Sequence, residues 1–245
     1  MTGDFTPTPP GDADHGRRVA SMFGRIARFY DFLNHALSLG LDILWRKKLV
    51  AGIGLAPDRA GCVLDLAAGT LDVALEIARR HPRAAIVAAD FTLPMLRRGQ
   101  TKIPPADAER IFPVQADGLA LPLADASLDA ATIAFGIRNI KPRQAAYAEI
   151  LRVLRPGARF CILEFGTGKR RIWGGAYNFY LTRLLPGFGR LVSGDAAAYR
   201  YLADTIRAFP DENALADELS RAGFTSVTHT PLASGIVFLH TAVRP

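Results

Sequence analysis

Residues 61–90 have the sequence GCVLDLAAGTLDVALEIARRHPRAAIVAAD. The apolar run Cys62–Ala67 predicts a buried strand, and the apolar spacing over Val73–Arg80 predicts a helix after a turn of small residues. A second apolar run, Ala85–Ala89, predicts another strand that ends at Asp90. A strand, a helix and a strand in this order form a βαβ unit, in which the two strands are parallel.

The alternation of strands and helices continues beyond this unit. The further predicted elements are a helix over Leu93–Gln100, strands over Ile111–Gln115 and Leu128–Phe135, a helix over Arg143–Leu154 and a strand over Ala158–Phe165. A helix over Glu212–Ala222 then precedes two β-like runs, Ser226–Pro231 and Gly235–Val243, which predict an antiparallel hairpin at the sheet edge. The predicted fold is α/β, with a doubly wound, seven-stranded and mostly parallel sheet.

The segments outside this pattern predict the domain organisation. The first sixteen residues contain Pro, Gly, Thr and Asp without an apolar run, which is typical of a flexible tail and not of a signal peptide. Apolar residues at helical spacing, interrupted at Asn34 and Gly40, predict two or three short helices before the main domain. The predicted organisation is a tail (1–16), an N-terminal helical cap (17–60) and one domain (61–245) with a helical insertion after the fifth strand (about 166–208).

Composition excludes several classes of protein. The chain has 245 residues, 49% hydrophobic and 22% charged, which excludes a disordered or collagen-like protein. The longest stretch without Lys, Arg, Asp or Glu, Ala222–Val243, contains Pro231 and Gly235, so it predicts no membrane span. Cys62 and Cys161 lie in apolar runs, which argues against a disulfide framework and a Cys-based metal site. We therefore expect a cytoplasmic protein without a metal.

The positive charge is concentrated in two segments. The net charge is +7, and Gly16–Val50 and Gly168–Arg190 supply the excess, with aromatic residues interleaved in both. Such segments would suit an anionic membrane surface or nucleic acid, or they form an ordinary solvated basic face. No base-flipping or RNA-binding module accompanies the sheet, which argues against nucleic acid.

Candidate ligand contacts follow the first two strands, because a doubly wound sheet binds ligands outside the carboxyl ends of its strands. Asp65 lies inside the first strand and precedes a turn with Gly69 and Thr70, where small residues allow close approach and the next helix offers free N–H groups. A lone glycine there argues against a dinucleotide oxidoreductase. Asp90 ends the second strand, where it either caps the strand or accepts both hydroxyls of a ribose.

A third candidate contact follows the third strand. Asp117 and Gly118 come directly after Gln115-Ala116. The Asp117 carboxylate is placed to accept from an exocyclic amine such as adenine N6, or it is an ordinary turn aspartate.

The combination of these features resembles the class I S-adenosylmethionine-dependent methyltransferases, whose fold is Rossmann-like. It comprises Asp65 with its small-residue turn, Asp90, Asp117 followed by Leu121-Pro122-Leu123, Asp129, and Leu154-Arg155-Pro156-Gly157. Four further motifs are Phe23-x6-Tyr30-Asp31-x2-Asn34-x3-Ser38-x-Gly40-x4-Trp45, Phe135-Gly136-Ile137-Arg138-Asn139, Leu163-Glu164-Phe165 and Asp195-x3-Tyr199-x-Tyr201-Leu202. From about Val19 onwards, the chain is similar to the UbiE-type family of ubiquinone and menaquinone C-methyltransferases.

The resemblance implies S-adenosylmethionine as cofactor and a polyprenylated quinol as substrate. The quinol is either demethylmenaquinol, which becomes menaquinol, or the 2-polyprenyl-6-methoxy-1,4-benzoquinol intermediate of ubiquinone synthesis. The implied cofactor-binding residues are Asp65, Gly69, Thr70, Asp90, Asp117, Gly118 and Ala134. The implied catalytic residues are Arg138, which stabilises the developing oxyanion, Asn139, which orients the quinol oxygen, and Tyr30, which takes or relays a proton with His35 as a second candidate.

Two residues depart from the family pattern. Leu71 stands where the family usually has the second glycine of Gly-Thr-Gly-Asp, and Ala134 stands where it often has Ser. We expect the loop to keep its path with Leu71 turned away from the cofactor at negative φ. A methyltransferase for another lipid or small phenol, and a catalytically silent homologue, remain alternatives.

The resemblance and the charge pattern together suggest partners. We expect peripheral contact with the anionic inner face of the membrane, with the basic aromatic segments covering the prenyl tail. A homo-oligomer and a quinone-biosynthesis complex are both compatible with the sequence.

Overall fold

A computed structural model describes residues 10–166 and 196–245. The helices in these ranges are α1 (Pro10–Leu37), α2 (Leu41–Gly52), α3 (Asp72–Arg80), α4 (Leu93–Gln100), α5 (Arg143–Val153), α6 (Ala196–Ala208) and α7 (Glu212–Ala222). The strands are β1 (Gly61–Leu66), β2 (Ala84–Asp90), β3 (Ile111–Gln115), β4 (Leu128–Ala134), β5 (Leu154–Phe165), β6 (Thr225–Leu232) and β7 (Val237–Val243).

The seven strands form one sheet in the order β3-β2-β1-β4-β5-β7-β6. Strands β1 to β5 are parallel, whereas β7 runs antiparallel to both β5 and β6. The chain therefore builds outward from β1 to β3 and then returns to place β4 on the other side of β1. This reversal creates a crevice at the carboxyl ends of β1 and β4, where open α/β sheets bind ligands. The predicted fold is confirmed, including the antiparallel hairpin.

The core fills both faces of the sheet, since neighbouring residues of a strand point to opposite faces. Val63 and Leu64 of β1 are both fully buried, but Val63 belongs to the core cluster that includes Ile77 of α3, whereas Leu64 belongs to the cluster that includes Tyr147 of α5. Burial on both faces explains why the strands are continuous apolar runs and not alternating patterns.

The N-terminal cap differs from the sequence-based expectation. Helix α1 runs through Asn34 without a break, and the turn before α2 lies at Gly40, whose φ is +77°. The helix also includes residues 10–16, which the sequence-based expectation assigned to a tail. Residues 1–9 lie outside the described ranges.

The insertion after β5 is described in part. Its last section is helix α6, whereas residues 167–195, with the basic aromatic segment Lys169–Arg190, lie outside the described residues. Within the described ranges, no helix combines the length and the apolar content that a membrane crossing needs.

Candidate active site

A cavity of about 470 Å³ lies at the carboxyl ends of β1 to β4, within the size range of small-molecule sites. Its walls come from the N-terminal half of α1 and from the segments that follow each strand. The lining residues are His15, Gly16, Val19, Ala20, Phe23, Leu66, Ala67, Gly69, Asp90, Phe91, Thr92, Met95, Ala116, Asp117, Gly118, Leu119, Ala120, Ala134, Phe135, Gly136, Asn139, Ile140, Lys141, Pro142 and Ala145. The cavity brings together five predicted cofactor residues, Gly69, Asp90, Asp117, Gly118 and Ala134, and the predicted catalytic residue Asn139.

The loop between β1 and α3 turns sharply into the cavity wall. Ala67, Gly69 and Leu71 all have positive φ, at +54°, +55° and +69°. Non-glycine residues with positive φ are strained and tend to occur at functional sites, which supports a binding role for this loop.

Leu71 is turned away from the cavity, as expected, but the expectation of a negative φ was wrong. The side chain is fully buried in the core on the α3 side of the sheet. A Cβ added at Gly99 would lie 2.4 Å from Leu71 Cγ, so the glycine in α4 provides the space for this leucine. Burial of a leucine contributes about 1.5–3 kcal/mol, which offsets the left-handed conformation at about 1–2 kcal/mol.

Asp90 joins the loop after β1 to the loop after β2. Its Oδ2 accepts a hydrogen bond from the Gly69 amide at 2.8 Å, and its Oδ1 accepts one from the Thr92 amide at 2.7 Å. Burial raises the pKa of Asp90, although the amides of Thr92 and Gly69 oppose the shift. Each carboxylate oxygen accepts more than one hydrogen bond, so Asp90 retains acceptor capacity toward a ligand.

The wall after β3 combines an exposed carboxylate with a glycine. Asp117 Oδ1 accepts from the Leu119 amide at 2.9 Å. A Cβ on Gly118 would lie 3.1 Å from Ile140 Cδ1, so a larger residue would crowd the wall here. The sequence predicted both residues from their place after the third strand.

Asn139 and Arg138 occupy a 3-10 turn after β4 but have different surroundings. Asn139 lines the cavity, and its Oδ1 accepts a hydrogen bond from the Tyr201 hydroxyl of α6 at 3.2 Å. Arg138 is 5% exposed, does not line the cavity, and forms an ion pair with Glu164 of β5 at 2.7 Å. Its guanidinium also donates to the Phe135 carbonyl at 2.5 Å and lies 5.7 Å from the Phe165 ring centroid.

Besides Arg138, three predicted site residues do not line the cavity or are not described there. Asp65 is buried inside β1 with its Oδ1 3.1 Å from Thr132 Oγ1, and burial raises its pKa to about 7. Thr70 is buried and donates to Asp31 of α1. Tyr30 lies in α1, but its side chain is outside the described part of the structure.

The sequence reasoning assigned no role to Glu164. It lies in the apolar run Ile162-Leu163-Glu164-Phe165, and burial raises the pKa of its carboxyl although Arg138 opposes the shift. An acidic residue within a buried strand needs a partner, so its position was a signal that could have identified the pair. Phe23 of the cavity wall was marked only as the first residue of a family motif, and Phe91 and Met95 carried no comparable signal.

The cavity fits a ligand with an adenosine part. Glycines and alanines at the strand ends leave room, two carboxylates can accept from hydroxyl or amine groups, and Phe91 and Met95 offer apolar surface for a flat ring. In the described ranges, no group of three or more His, Cys, Asp or Glu side chains is arranged to hold a metal.

Comparison with solved structures identifies the fold. A Thermotoga maritima S-adenosylmethionine-dependent methyltransferase, described as a possible histamine N-methyltransferase, superimposes with a TM-score of 0.64 at 15% identity, over 93% of this chain and 100% of that one. A Haemonchus contortus phosphoethanolamine N-methyltransferase 2 in complex with S-adenosyl-L-methionine gives a TM-score of 0.62 at 12% identity, over 82% of this chain and 52% of that one. The fold is therefore that of the S-adenosylmethionine-dependent methyltransferases.

Comparison with sequences identifies the family. A Syntrophotalea carbinolica protein named ubiquinone/menaquinone biosynthesis C-methyltransferase UbiE is 44% identical over 244 residues, which cover 100% of this chain and 98% of that protein. A Mycolicibacterium paratuberculosis demethylmenaquinone methyltransferase is 45% identical over 229 residues, which cover 94% of this chain and 95% of that protein. The model of the ubiE/COQ5 methyltransferase family matches residues 12–244. The resemblance predicted from the motifs is thereby confirmed, and the chain belongs to the ubiE/COQ5 methyltransferase family.

Proposed function

We propose that the protein transfers the methyl group of S-adenosylmethionine to a ring carbon of a polyprenylated quinol, most readily demethylmenaquinol. The observation that carries the proposal is a full-length match, at 44% and 45% identity, to proteins named for this reaction. The cavity at the carboxyl ends of the strands supports it, since its small residues and carboxylates suit the cofactor.

The cofactor supplies an electrophilic sulfonium methyl group when bound. Asp90 would hold the ribose and Asp117 the adenine, through charge-assisted hydrogen bonds. Gly69, Gly118 and Ala134 line the cavity without bulk and allow the backbone to approach the ligand closely. Thr70 acts from outside the cavity wall, by tying the loop that carries Gly69 to α1. Asp65 lies inside β1, where its carboxyl is hydrogen-bonded to Thr132 of β4.

The chemistry requires a site that stabilises a phenolate and handles protons. Loss of a hydroxyl proton makes the adjacent quinol carbon nucleophilic. After that carbon gains the methyl group, its hydrogen leaves as a proton and the hydroxyl is restored by protonation. The site must therefore hold the ring at attacking distance and offset negative charge on its oxygen.

Asn139 and Arg138 are the residues that we assign to this task. Asn139 Oδ1 already accepts from Tyr201, which leaves its amide hydrogens to orient a quinol oxygen. Arg138 lies in the same turn but does not line the cavity, so it would act on the phenolate charge without touching it, with Glu164 fixing the plane of its guanidinium. Tyr30 takes or relays the proton.

A direct assay tests this function and separates the alternatives. Purified protein is incubated with methyl-labelled S-adenosylmethionine and either demethylmenaquinol or the methoxybenzoquinol, each in reduced and oxidised form. We expect label in menaquinol, with the oxidised quinones unreactive. Label in the benzoquinol alone would move the protein to ubiquinone synthesis. Cofactor binding without label in any quinol would support the silent homologue.

We further propose that the corner between α1 and α2 contacts the membrane that holds the substrate. Leu39, at the tip of the turn, is 89% exposed, and Leu41, Ile43 and Leu44 are exposed beside it. Lys48, one helical turn after Leu44 and about 6 Å further along the α2 axis, is exposed as well. Apolar residues followed by a lysine at this spacing match the acyl boundary and the phosphate layer of an anionic bilayer.

Vesicle binding tests this contact. We expect the protein to sediment with anionic vesicles, less so as salt rises, and Leu39→Ser with Leu44→Ser to weaken binding without loss of thermal stability. The matched control is Ala51→Ser on the same exposed face of α2. Equal binding of the double variant and the wild type would contradict a contact at this corner.

A further inference from the structure

The N-terminal half of helix α1 forms one wall of the cavity. The C-terminal half of the helix is bound to the rest of the domain through polar contacts. Asp31 Oδ1 accepts a hydrogen bond from the Thr70 hydroxyl at 2.5 Å, and Asp31 Oδ2 lies 3.1 Å from Lys102 Nζ. Thr70 follows Gly69, whose amide donates to Asp90. Through this side chain, α1 is tied to the loop that forms part of the opposite wall.

Further ion pairs extend this contact into a ring. They join Lys102 to Asp72 at 2.5 Å, Asp72 to Arg46 at 3.2 Å and Arg46 to Asp42 at 2.8 Å. Asp42 Oδ2 in turn lies 2.7 Å from His35 Nδ1. His35 is four residues after Asp31, so the ring returns to the same face of α1. The cap network is the name used here for Asp31, His35, Asp42, Arg46, Thr70, Asp72 and Lys102. It connects α1 to α2, to α3 and its preceding loop, and to the segment that follows α4.

The centre of the cap network is more buried than an ordinary surface ion pair. Thr70 is 2% exposed, and the side chains of Asp31 and Lys102 are 20% and 27% exposed. Arg79, which pairs with Glu76 on the outer side of α3, is 60% exposed. Reduced access of water strengthens charge interactions and makes the loss of one partner more costly, so the two sets of contacts should respond differently to substitution.

We propose that Asp31 is a positioning residue, which closes α1 over the cofactor cavity and fixes the β1–α3 loop through Thr70. A molecule in the cavity lies between α1 and the strand ends. The more tightly α1 is held in place, the more slowly this molecule should dissociate. The inference rests on the proposed function only for the identity of the cofactor. It also gives Thr70 a different role from the direct cofactor contact that the resemblance implied.

The dissociation rate of S-adenosylhomocysteine, measured by stopped-flow displacement, tests the proposal. Thr70→Val removes the hydroxyl and keeps the shape, whereas Thr70→Ser keeps the hydroxyl. Lys102→Met removes the charge, whereas Lys102→Arg keeps it. We expect dissociation about tenfold faster in Thr70→Val and Lys102→Met, with near wild-type rates in the two conservative variants. The matched control Arg79→Ala should leave the rate unchanged.

A double substitution separates positioning from general support. If Thr70 and Asp31 act through one bond, Thr70→Val should add little to the effect of Asp31→Ala, which removes the acceptor. A lower melting temperature in Thr70→Val with an unchanged dissociation rate would reduce the cap network to a structural role and overturn the proposal.

Hydrogen exchange of backbone amides in the ligand-free protein tests the positioning role of Asp31 independently of the proposed function. We expect faster exchange over residues 16–23 of α1 in Thr70→Val than in the wild type, with no change in Arg79→Ala. Wild-type protein that binds no S-adenosylhomocysteine would contradict the proposed function. Equal exchange of α1 in the wild type and Thr70→Val would contradict the positioning role of Asp31, whatever the protein binds.

Discussion

The two halves of the ligand-binding sheet edge hold their polar groups in different ways. On the side of β1 to β3, Asp90 and Asp117 accept hydrogen bonds from backbone amides of the neighbouring loops. On the side of β4 and β5, Arg138 and Glu164 hold each other inside an aromatic cluster that includes Phe135 and Phe165, whose ring centroids are 4.6 Å apart. Backbone amides stay in place when a side chain is removed, whereas the remaining member of a buried ion pair loses the opposite charge that compensates it.

This difference predicts two kinds of mutant. Substitutions in the first half should reduce ligand affinity with a modest effect on folding. Substitutions in the second half should affect folding and turnover together, because the same pair supports both. The following predictions test the contrast, from the largest expected effect to the smallest.

Removal of Glu164 should have the largest effect on stability. Glu164→Ala leaves the guanidinium of Arg138 buried without its carboxylate, and we expect the free energy of unfolding to fall by about 3–5 kcal/mol in urea denaturation. The control Glu76→Ala, which breaks the pairing with exposed Arg79, should cost about 1 kcal/mol or less. A loss below about 1 kcal/mol for Glu164→Ala would remove the distinction between the halves.

Substitution of Leu71 tests whether this residue of the loop after β1 serves core packing or ligand binding. Leu71→Gly should destabilise the protein by about 2–4 kcal/mol, since lost burial exceeds the relief of a strained φ. Leu71→Ala should be about 1 kcal/mol less stable than Leu71→Gly, because alanine, unlike glycine, is strained at a positive φ. Affinity for S-adenosylhomocysteine, measured by calorimetry, should change by less than about twofold. Clearly tighter binding by Leu71→Gly would mean that the leucine does restrict the cavity.

Asp90 should affect affinity more than stability. Asp90→Ala should weaken S-adenosylmethionine binding about ten- to a hundredfold, which corresponds to about 1.5–3 kcal/mol, because a charge-assisted hydrogen bond is lost. Exposed Asp117 is the comparison within the same half, and Asp117→Ala should lower affinity with little change in the melting temperature. Unchanged calorimetric affinity in Asp90→Ala would exclude Asp90 from the cofactor site.

The raised pKa of Asp65 predicts a smaller effect, on the pH dependence of the free energy of unfolding. Because burial raises the pKa of Asp65 to about 7, well above its ordinary value, the folded protein retains a proton that the unfolded chain releases. Wild-type stability should therefore fall as pH rises from about 4 to about 7, by about 1.4 kcal/mol per pH unit from this group at most. In Asp65→Asn this contribution is absent, so between about pH 5 and about pH 8 the stability of the variant relative to the wild type should rise by about 3 kcal/mol. Parallel stability curves for the two proteins would contradict the raised pKa.

The local pattern predicted the secondary structure well, and the departures have physical causes. Strand β5 begins at Leu154 and not at Ala158, because Leu154 pairs with Leu128 before an irregularity in the register. Helix α1 passes through Asn34 because helix propensity is a weak preference that tertiary contacts override. Such contacts lie between residues distant in sequence, so a local window does not contain them.

The sequence by itself determined the alternation of strands and helices, and hence the sheet edge where Asp90, Asp117 and Gly118 follow their strands. It did so because apolar periodicity and turn residues are local properties of the chain. Its motifs also identified the family. Only the tertiary structure decided that Arg138 pairs with Glu164, that Thr70 bonds to Asp31 and that Leu71 points into the core beside Gly99. Each of these depends on two segments meeting in space, and which segments meet is set by the packing of the whole sheet and its helices.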